Sequence, residues 1–405
     1  MNQFINALLL QSGYNAALVT IGASLLGFSA GSSGTFLFLR KRALVSDATA
    51  HATLPGIGLA FIIMVSLGGD GRSMIGLMLG SAVTAIIGLI FIEWITRRTR
   101  LSEDAAIGAV LGSFFGLGIV LLTIIQTMST GRQAGLEDFL LGSTAGMLFN
   151  DGVIIAVGGS LSVFATLIFH RPMTLVAFDA EYAAVMGYDV RKIDLIMMGI
   201  VMGVTVIGLK LVGLILIVAL LIIPPVAARF WTDRSNQVIW IAGIIGGISG
   251  YIGAVLSSLA PAMPTGPLIV LTAAAIFLFS LLFAPKRGVA ASVFNRRRFQ
   301  ARVHRRQGLL SLSRQEPIRE PFTLRLLLRE GLIRPDGVPT DSGRAKAAKV
   351  ARDERRWDIA REVYQDAGLT GHYDGLTPIE EIFTLDEIQE FDRRIGPPVA
   401  VSEFS

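Results

Sequence analysis

The sequence predicts an all-α polytopic membrane protein with about eight or nine transmembrane helices, followed by a small, mainly α cytosolic C-terminal domain. Three observations predict it. Of the 405 residues, 52% are hydrophobic and only 17% charged, against about a quarter charged in an ordinary soluble domain, and mean hydropathy is +0.61. The charges are also unevenly placed: residues 1–284 hold 14 Lys/Arg and 13 Asp/Glu, whereas the last 121 residues hold 22 and 18. Finally, apolar runs of roughly 20 residues, the length that crosses a hydrocarbon core, recur through the first part and stop at its end. The expected division is a transmembrane domain over 1–288, a basic linker over 289–320 and a cytosolic domain over 321–405.

Taken in order, the predicted crossings are 16–39, 43–66, 73–95, 104–127, 150–169, 193–209, 211–228, 238–258 and 267–284. Basic clusters punctuate them: Arg40-Lys41-Arg42, Arg97-Arg98 with Arg100, His170-Arg171, Arg191-Lys192, Arg229 with Arg234, and Lys286-Arg287. Lys and Arg accumulate in cytoplasmic loops. Placing every cluster inside gives a path with the N-terminus outside, nine crossings and the C-terminus inside. The run 193–228 is interrupted only by Lys210, so it reads as two short crossings or as one broken, partly re-entrant helix. The segment 136–149 is too short to cross and reads as interfacial. Ser102-Glu103-Asp104 reads as a helix N-cap with acids in the first turn, where the helix dipole favours them. Glycine runs from Gly112 to Gly118 and from Gly246 to Gly253 predict close helix approaches within a tight bundle.

The absence of cysteine excludes disulfides and thiolate metal sites. The N-terminal MNQFINALLLQSGYN lacks the basic start and small-residue cleavage pattern of a secretory signal, so no cleavable signal is expected. No GxxxxGK[ST] phosphate loop is present, so the chain is not expected to hydrolyse ATP, and it is read as no enzyme. Nor does a series of intramembrane carboxylates suggest a proton relay.

The feature with most chemistry lies in LRKRALVSDATAHATLPGIGLAF (39–61). Asp47 and His51 stand four apart and so project from one face of a helix. A carboxylate beside an imidazole suits a borderline first-row divalent cation. Ser46, Thr49 and Thr53 add hydroxyls, and Pro55 with Gly56 and Gly58 can bend the helix beyond them. The plainer reading has Ser46 capping the helix, Asp47 in its first turn and His51 as a neutral packing residue. Two ligands do not close a metal site, so water, a backbone group or a second copy of the chain would supply the rest. A second feature, FDAEYAAVMG (178–187), reads as a short amphipathic helix on the cytoplasmic side. It either joins two crossings or docks a cytosolic partner.

With these stretches, SEDAAIGAVLGSFFGLGIVLL (102–122), FLLGS (139–143), LVGLILIVALLIIPPVAARF (211–230) and PTGPLIVLTAAAIFLFSLLFAPKRG (264–288) follow one another in an order that resembles the zinc/manganese/iron permease family of ABC importers. The resemblance covers residues of about 10–288. It implies a permease subunit in a bacterial inner membrane that transports Mn, Zn or Fe and holds no permanent cofactor. It also implies a second permease subunit, two cytosolic ATPase subunits and an extracytoplasmic metal-binding protein as partners in the lipid bilayer. Asp47 and His51 match the family's residues on the helix lining the translocation path. Phe178, Asp179, Glu181, Ala183 and Gly187 match the coupling helix that enters a groove of the ATPase. The path places Asp47 only about one turn from the cytoplasmic end of its helix. An alternative is a permease for a metal chelate such as a siderophore or cobalamin.

The tail begins with a basic stretch from Arg296 to Arg306, which reads as sequence attracted to anionic lipid ahead of nucleic acid. Residues 321–357 read as a helix, a glycine turn, a short hairpin around Asp336-Gly337 and a second helix. That order resembles the winged-helix end of iron/manganese-dependent repressors, with Leu324–Leu332 in the place of the recognition helix and Val338–Gly343 in that of the wing. The repressors' metal ligands have no counterpart here. A further alternative is thus a permease fused to a DNA-binding, metal-responsive regulator. The acidic section 372–405 is expected to be a solvated helix and tail.

Overall fold

The structure is a computed structural model that describes residues 2–11, 13–69, 71, 73–128, 147–260, 263–363 and 375–395. The chain divides into two compact units, Met1–Ala291 and Ser292–Ser405.

In the first unit a short α1 (Asn2–Leu8) precedes α2 (Tyr14–Leu39), α3 (Ala43–Ser66), α4 (Met74–Arg98) and α5 (Glu103–Thr127). Then come α6 (Phe149–Ile168), the short α7 (His170–Phe178) and α8 (Ala180–Val185), α9 (Val190–Val212), α10 (Leu214–Arg229), α11 (Ser235–Ser257) and α12 (Thr265–Phe283). Eight of these helices are long and apolar enough to cross a membrane. Most of the interfacial segment expected at 136–149, and with it the FLLGS stretch, lies outside the described residues.

Local sequence sets the helix ends. Ser73 and Ser102 accept bonds from the backbone N–H groups of Gly76 and Ala105, capping α4 and α5, and Glu103 and Asp104 occupy the first turn of α5 as the sequence predicts. The run expected to break at Lys210 breaks instead at Gly213, whose φ of 80° is open to glycine and strained for other residues. The result is two rods, α9 and α10. At 16 residues and about 1.5 Å per residue, α10 falls short of a ~30 Å core. It tolerates this because none of its side chains from Leu216 to Arg229 is exposed: protein, rather than lipid, surrounds it.

The centre of the unit is the crossing of α2 and α11. Gly27 and Gly246 meet there so closely that a Cβ on Gly27 would stand 2.2 Å from the Gly246 carbonyl oxygen. Around this pair, Leu26, Ala30, Leu37, Val204, Leu220 and Ile269 form one buried cluster. The outer faces of α4, α5, α6 and α12 carry exposed Ile90, Val120, Phe164 and Leu271, a surface made for lipid or for other apolar helices.

The stretch expected as a linker is helical: α13 runs from Val289, at the end of the first unit, to Ser313 in the second. It contains no proline and several arginines, which are good helix formers, so the charge that suggested a linker does not oppose a helix. Next come α14 (Pro321–Arg329) and α15 (Asp341–Val363), joined by a glycine turn and a hairpin. The hairpin arms pair through one antiparallel bridge, Ile333 with Pro339, and turn at Gly337 (φ 84°). The acidic section is more than a solvated helix. Its α16 (Leu385–Ile395) buries Ile388 and Phe391 against Trp357 and Phe383, because those two apolar residues, three apart, share a face of an otherwise charged helix.

Asp392 holds this packing electrostatically. It accepts hydrogen bonds from Arg356 Nη2 at 2.7 Å and Nε at 2.8 Å and from Arg352 Nε at 3.2 Å. The Arg356 hydrogen bonds hold its carboxyl below the usual range, whereas burial pushes the neighbouring Asp353 up. Asp392→Asn is expected to destabilise the α15–α16 contact by about 1 kcal/mol at neutral pH, the scale of a partly exposed bidentate pair. A depressed carboxyl stabilises the fold above its unfolded value of about 3.9 and loses that contribution as pH falls through the folded value. Hydrogen exchange of α16 in the full chain should therefore separate variant from wild type at pH 7 and converge in acid below pH ~4.

Candidate functional site

The site begins with the turn that delivers α3. Lys41, at φ 60°, takes a left-handed conformation between the end of α2 and Arg42, the N-cap of α3. Five residues on, Asp47 sits at the helix surface with 39% of its side chain exposed, one turn before the more enclosed His51. Their spacing brings His51 Nε2 to 3.4 Å from Asp47 Oδ1. Two ligands each about 2.1 Å from one ion, in tetrahedral arrangement, also stand roughly 3.4 Å apart. The pair is thus already at the separation that a shared ion requires. The ring of Phe115 on α5 meets the His51 imidazole edge-on at 5.0 Å and fixes its plane, and Nδ1 is buried without a hydrogen-bond partner.

The hydroxyls expected nearby have another role. Ser46, Thr49 and Thr53 are buried and donate to the carbonyls of Ala43, Val45 and Ala50 on their own helix. Ser46 is therefore no N-cap and Asp47 no first-turn residue, since the helix starts four residues earlier than that reading requires. Pro55 does not end α3, which continues to Ser66. Lacking an N–H, it leaves the His51 carbonyl without its helical donor and so weakens the helix beside the pair. Beyond it, Gly56 packs directly on the backbone of α4 and Gly58 on Leu121 of α5, which wedges α3 between those helices. Among the described residues, no three His, Cys, Asp or Glu side chains gather into a metal-binding group. Within one chain the pair stands as two ligands.

The second site is the α7–α8 hairpin. Asp179 caps α8 by accepting from the Tyr182 N–H at 2.8 Å, and Gly187 turns the chain out of it at φ 87°. Ala183 is fully buried and, with Met173 and Val176, anchors the hairpin to Phe36 of α2 and to Ile193 and Met197 of α9. The opposite side exposes Phe178, Glu181, Tyr182, Val185 and Met186, with Val185 at 85% exposure. These uncovered apolar side chains form one patch on the hairpin.

A further cluster escaped the sequence reading. Arg40 and Arg42 counted there only as part of a basic loop, yet both contact Asp194 on α9. The available signal was a carboxylate just inside a predicted crossing.

Comparison with known proteins places the chain in a family. The family model described as "ABC 3 transport family" matches residues 14–284. The chain is 40% identical over 301 residues to the manganese transport system membrane protein MntC of Bacillus subtilis, covering 74% of this chain and 68% of that protein. It is 36% identical over 287 residues to the zinc transport system membrane protein TroC of Treponema pallidum, covering 71% and 95%. Among solved structures it resembles PsaBC from Streptococcus pneumoniae in complex with Fab, with a TM-score of 0.61 and 30% identity over 71% of this chain and 97% of that one. The family match takes in α2 to α12, the Asp47–His51 pair and the α7–α8 hairpin, and on it the chain belongs to the ABC 3 transport family.

Proposed function

We propose that this chain is the membrane permease subunit of an ATP-driven importer whose substrate is a free divalent transition-metal ion, Mn, Zn or Fe. The observation that carries the proposal is the 3.4 Å separation of His51 Nε2 and Asp47 Oδ1 on α3. The names of the relatives, manganese and zinc transport system membrane proteins, support the same substrate class. The imidazole selects first-row metals over Mg or Ca, and the carboxylate compensates ionic charge in a low-dielectric surround.

Two ligands hold an ion weakly, which suits a path through which the ion must leave as well as enter. A second permease subunit presenting its own pair would complete the coordination, and an extracytoplasmic metal-binding protein would deliver the ion. The uncovered Phe178, Tyr182, Val185 and Met186 form the docking surface for a cytosolic ATPase. The ATPase hydrolyses the nucleotide, since this chain has no phosphate loop. With the basic clusters inside, the membrane is the bacterial inner membrane and the C-terminal unit is cytoplasmic.

The test is uptake by proteoliposomes holding the complex of this chain with its ATPase and metal-binding partner. ATP-dependent accumulation of free Mn²⁺, Zn²⁺ or Fe²⁺ is expected, with no uptake of siderophore- or cobalamin-bound metal. Transport of the chelate in preference to the free ion would overturn the proposal.

A further inference from the structure

A buried charged node lies at the base of α2, α3, α5 and α9, and the metal path does not use it. Asp194 on α9 has only 10% of its side chain exposed. Its Oδ2 meets Arg40 Nη2 at 3.3 Å and Arg42 Nη1 at 3.1 Å, while Oδ1 is buried and makes no hydrogen bond. Each arginine has a second partner. Arg40, which ends α2, donates through Nη1 to the Val176 carbonyl on α7 at 2.9 Å. Arg42, the N-cap of α3, reaches Glu103 on the first residue of α5 with Nε at 2.7 Å. One carboxylate therefore joins the α7–α8 hairpin, through Arg40, to the starts of α3 and α5, through Arg42.

The surrounding packing shows why this link matters. The hairpin, the end of α2 and the start of α9 share one apolar cluster built on Phe36, Met173, Val176 and Ile193. The starts of α3 and α5 are held by a different cluster, with Val45, Ala48, Ile107 and Val110, to which α9 adds Met198 one turn beyond Asp194. Between the two, the chain passes through Lys41 in its left-handed turn. Asp194 spans this turn ionically, and Asp47 follows Arg42 by five residues.

We infer that Asp194 is the positioning residue that carries displacement of the α7–α8 hairpin to the Asp47–His51 stretch of α3, by holding Arg40 and Arg42 across the α2–α3 turn. The inference rests on the reading above that this hairpin docks an ATPase. With the carboxylate neutralised, Arg40 loses its acidic partner and Arg42 keeps only Glu103, so nothing ionic holds the two guanidinium groups together. The ends of α2 and α3 then separate, and motion of the hairpin no longer reaches α3.

The experiment measures ATP hydrolysis and metal uptake together in proteoliposomes of the full complex. Asp194→Asn is expected to keep hydrolysis within about twofold of wild type while metal transported per ATP falls about tenfold. Asp194→Glu, which retains the charge, should recover most of that ratio. A merely structural role would lower hydrolysis and uptake in proportion and leave the ratio unmoved. Arg42→Gln cuts the α3 arm alone and carries the same expectation, so the inference stands testable should Asp194→Asn fail to assemble. An unchanged ratio in whichever of these variants assembles would overturn it. Val185→Glu separates the two readings: loss of ATPase association there supports docking at the hairpin. If Val185→Glu keeps the ATPase bound, or the wild type shows no ATP-dependent uptake, the underlying reading fails instead.

Discussion

Alanine at Asp47 or at His51 is expected to reduce ATP-dependent metal uptake by about 100-fold or more, close to 2.7 kcal/mol at 1.36 kcal/mol per factor of ten. The magnitude separates two roles for the pair. Were Asp47 only a surface carboxylate near the start of α3, beyond its first turn, its loss would cost no more than about 0.3–1 kcal/mol, less than about sixfold. Were His51 only a packing residue against Phe115, glutamine there would be tolerated as well as any polar side chain of its size. As ligands they behave differently. Each supplies half of what one chain offers an ion, and neither has a neighbour among the described residues able to replace it. Uptake in proteoliposomes, with ATPase binding checked for each variant, measures the effect. Survival of uptake within tenfold in both variants would remove the pair from the path.

The second large effect lies far from the pair, at the α2–α11 crossing. Gly27→Ala would place a methyl group 2.2 Å from the Gly246 carbonyl oxygen. Backbone cannot swing aside as a long side chain can, so the two central helices must part. Overpacking of a tight core costs about 1–3 kcal/mol and sometimes more, and here the strained contact is the axis on which Leu26, Ala30 and Leu220 pack. A substantial fall in thermal stability is expected for Gly27→Ala, and loss of the folded protein for Gly27→Leu, read by size exclusion after heating in detergent. The same change at Gly112 on α5, where an added Cβ meets nothing within 4 Å, should leave the thermal stability of the single chain unaltered. Equal sensitivity at both positions would mean that close approach is not what glycine provides at Gly27.

These two sites differ in how far the sequence reveals them. Asp47 and His51 are legible because their chemistry is local: a four-residue interval on one helix brings them together whatever the rest of the fold does. The helices of the membrane unit are legible for a similar reason, since length and hydropathy belong to each segment separately. The caps of α4 and α5 follow from Ser73 and Ser102 alone. The Gly246–Gly253 run likewise announces a close approach, although not that its partner is Gly27, because the pairing of two distant helices depends on everything that orients them.

Other features depend on tertiary packing. Apolar content in 178–187 does not say that Ala183 turns inward while Val185 and Met186 stay uncovered; the anchor on Phe36, Ile193 and Met197 decides that. The break between α9 and α10 moved from Lys210 to Gly213 because backbone freedom outranks a charge that can reach a membrane interface. In the second unit, the acidic α16 looked solvated by composition, yet Ile388 and Phe391 find Trp357 only once α15 lies beside them.

The amino-acid sequence by itself determined the class of this protein, its membrane segments and the Asp47–His51 pair, all of which follow from composition or short intervals. Tertiary structure alone decided that Arg40, Arg42 and Glu103 converge with Asp194, 152 to 154 residues from the two arginines in the chain. The physical reason is range. Helix formation and i,i+4 proximity are set by neighbours along the chain, whereas an ion pair across four helix ends exists only where packing has brought those ends together and excluded water from between them.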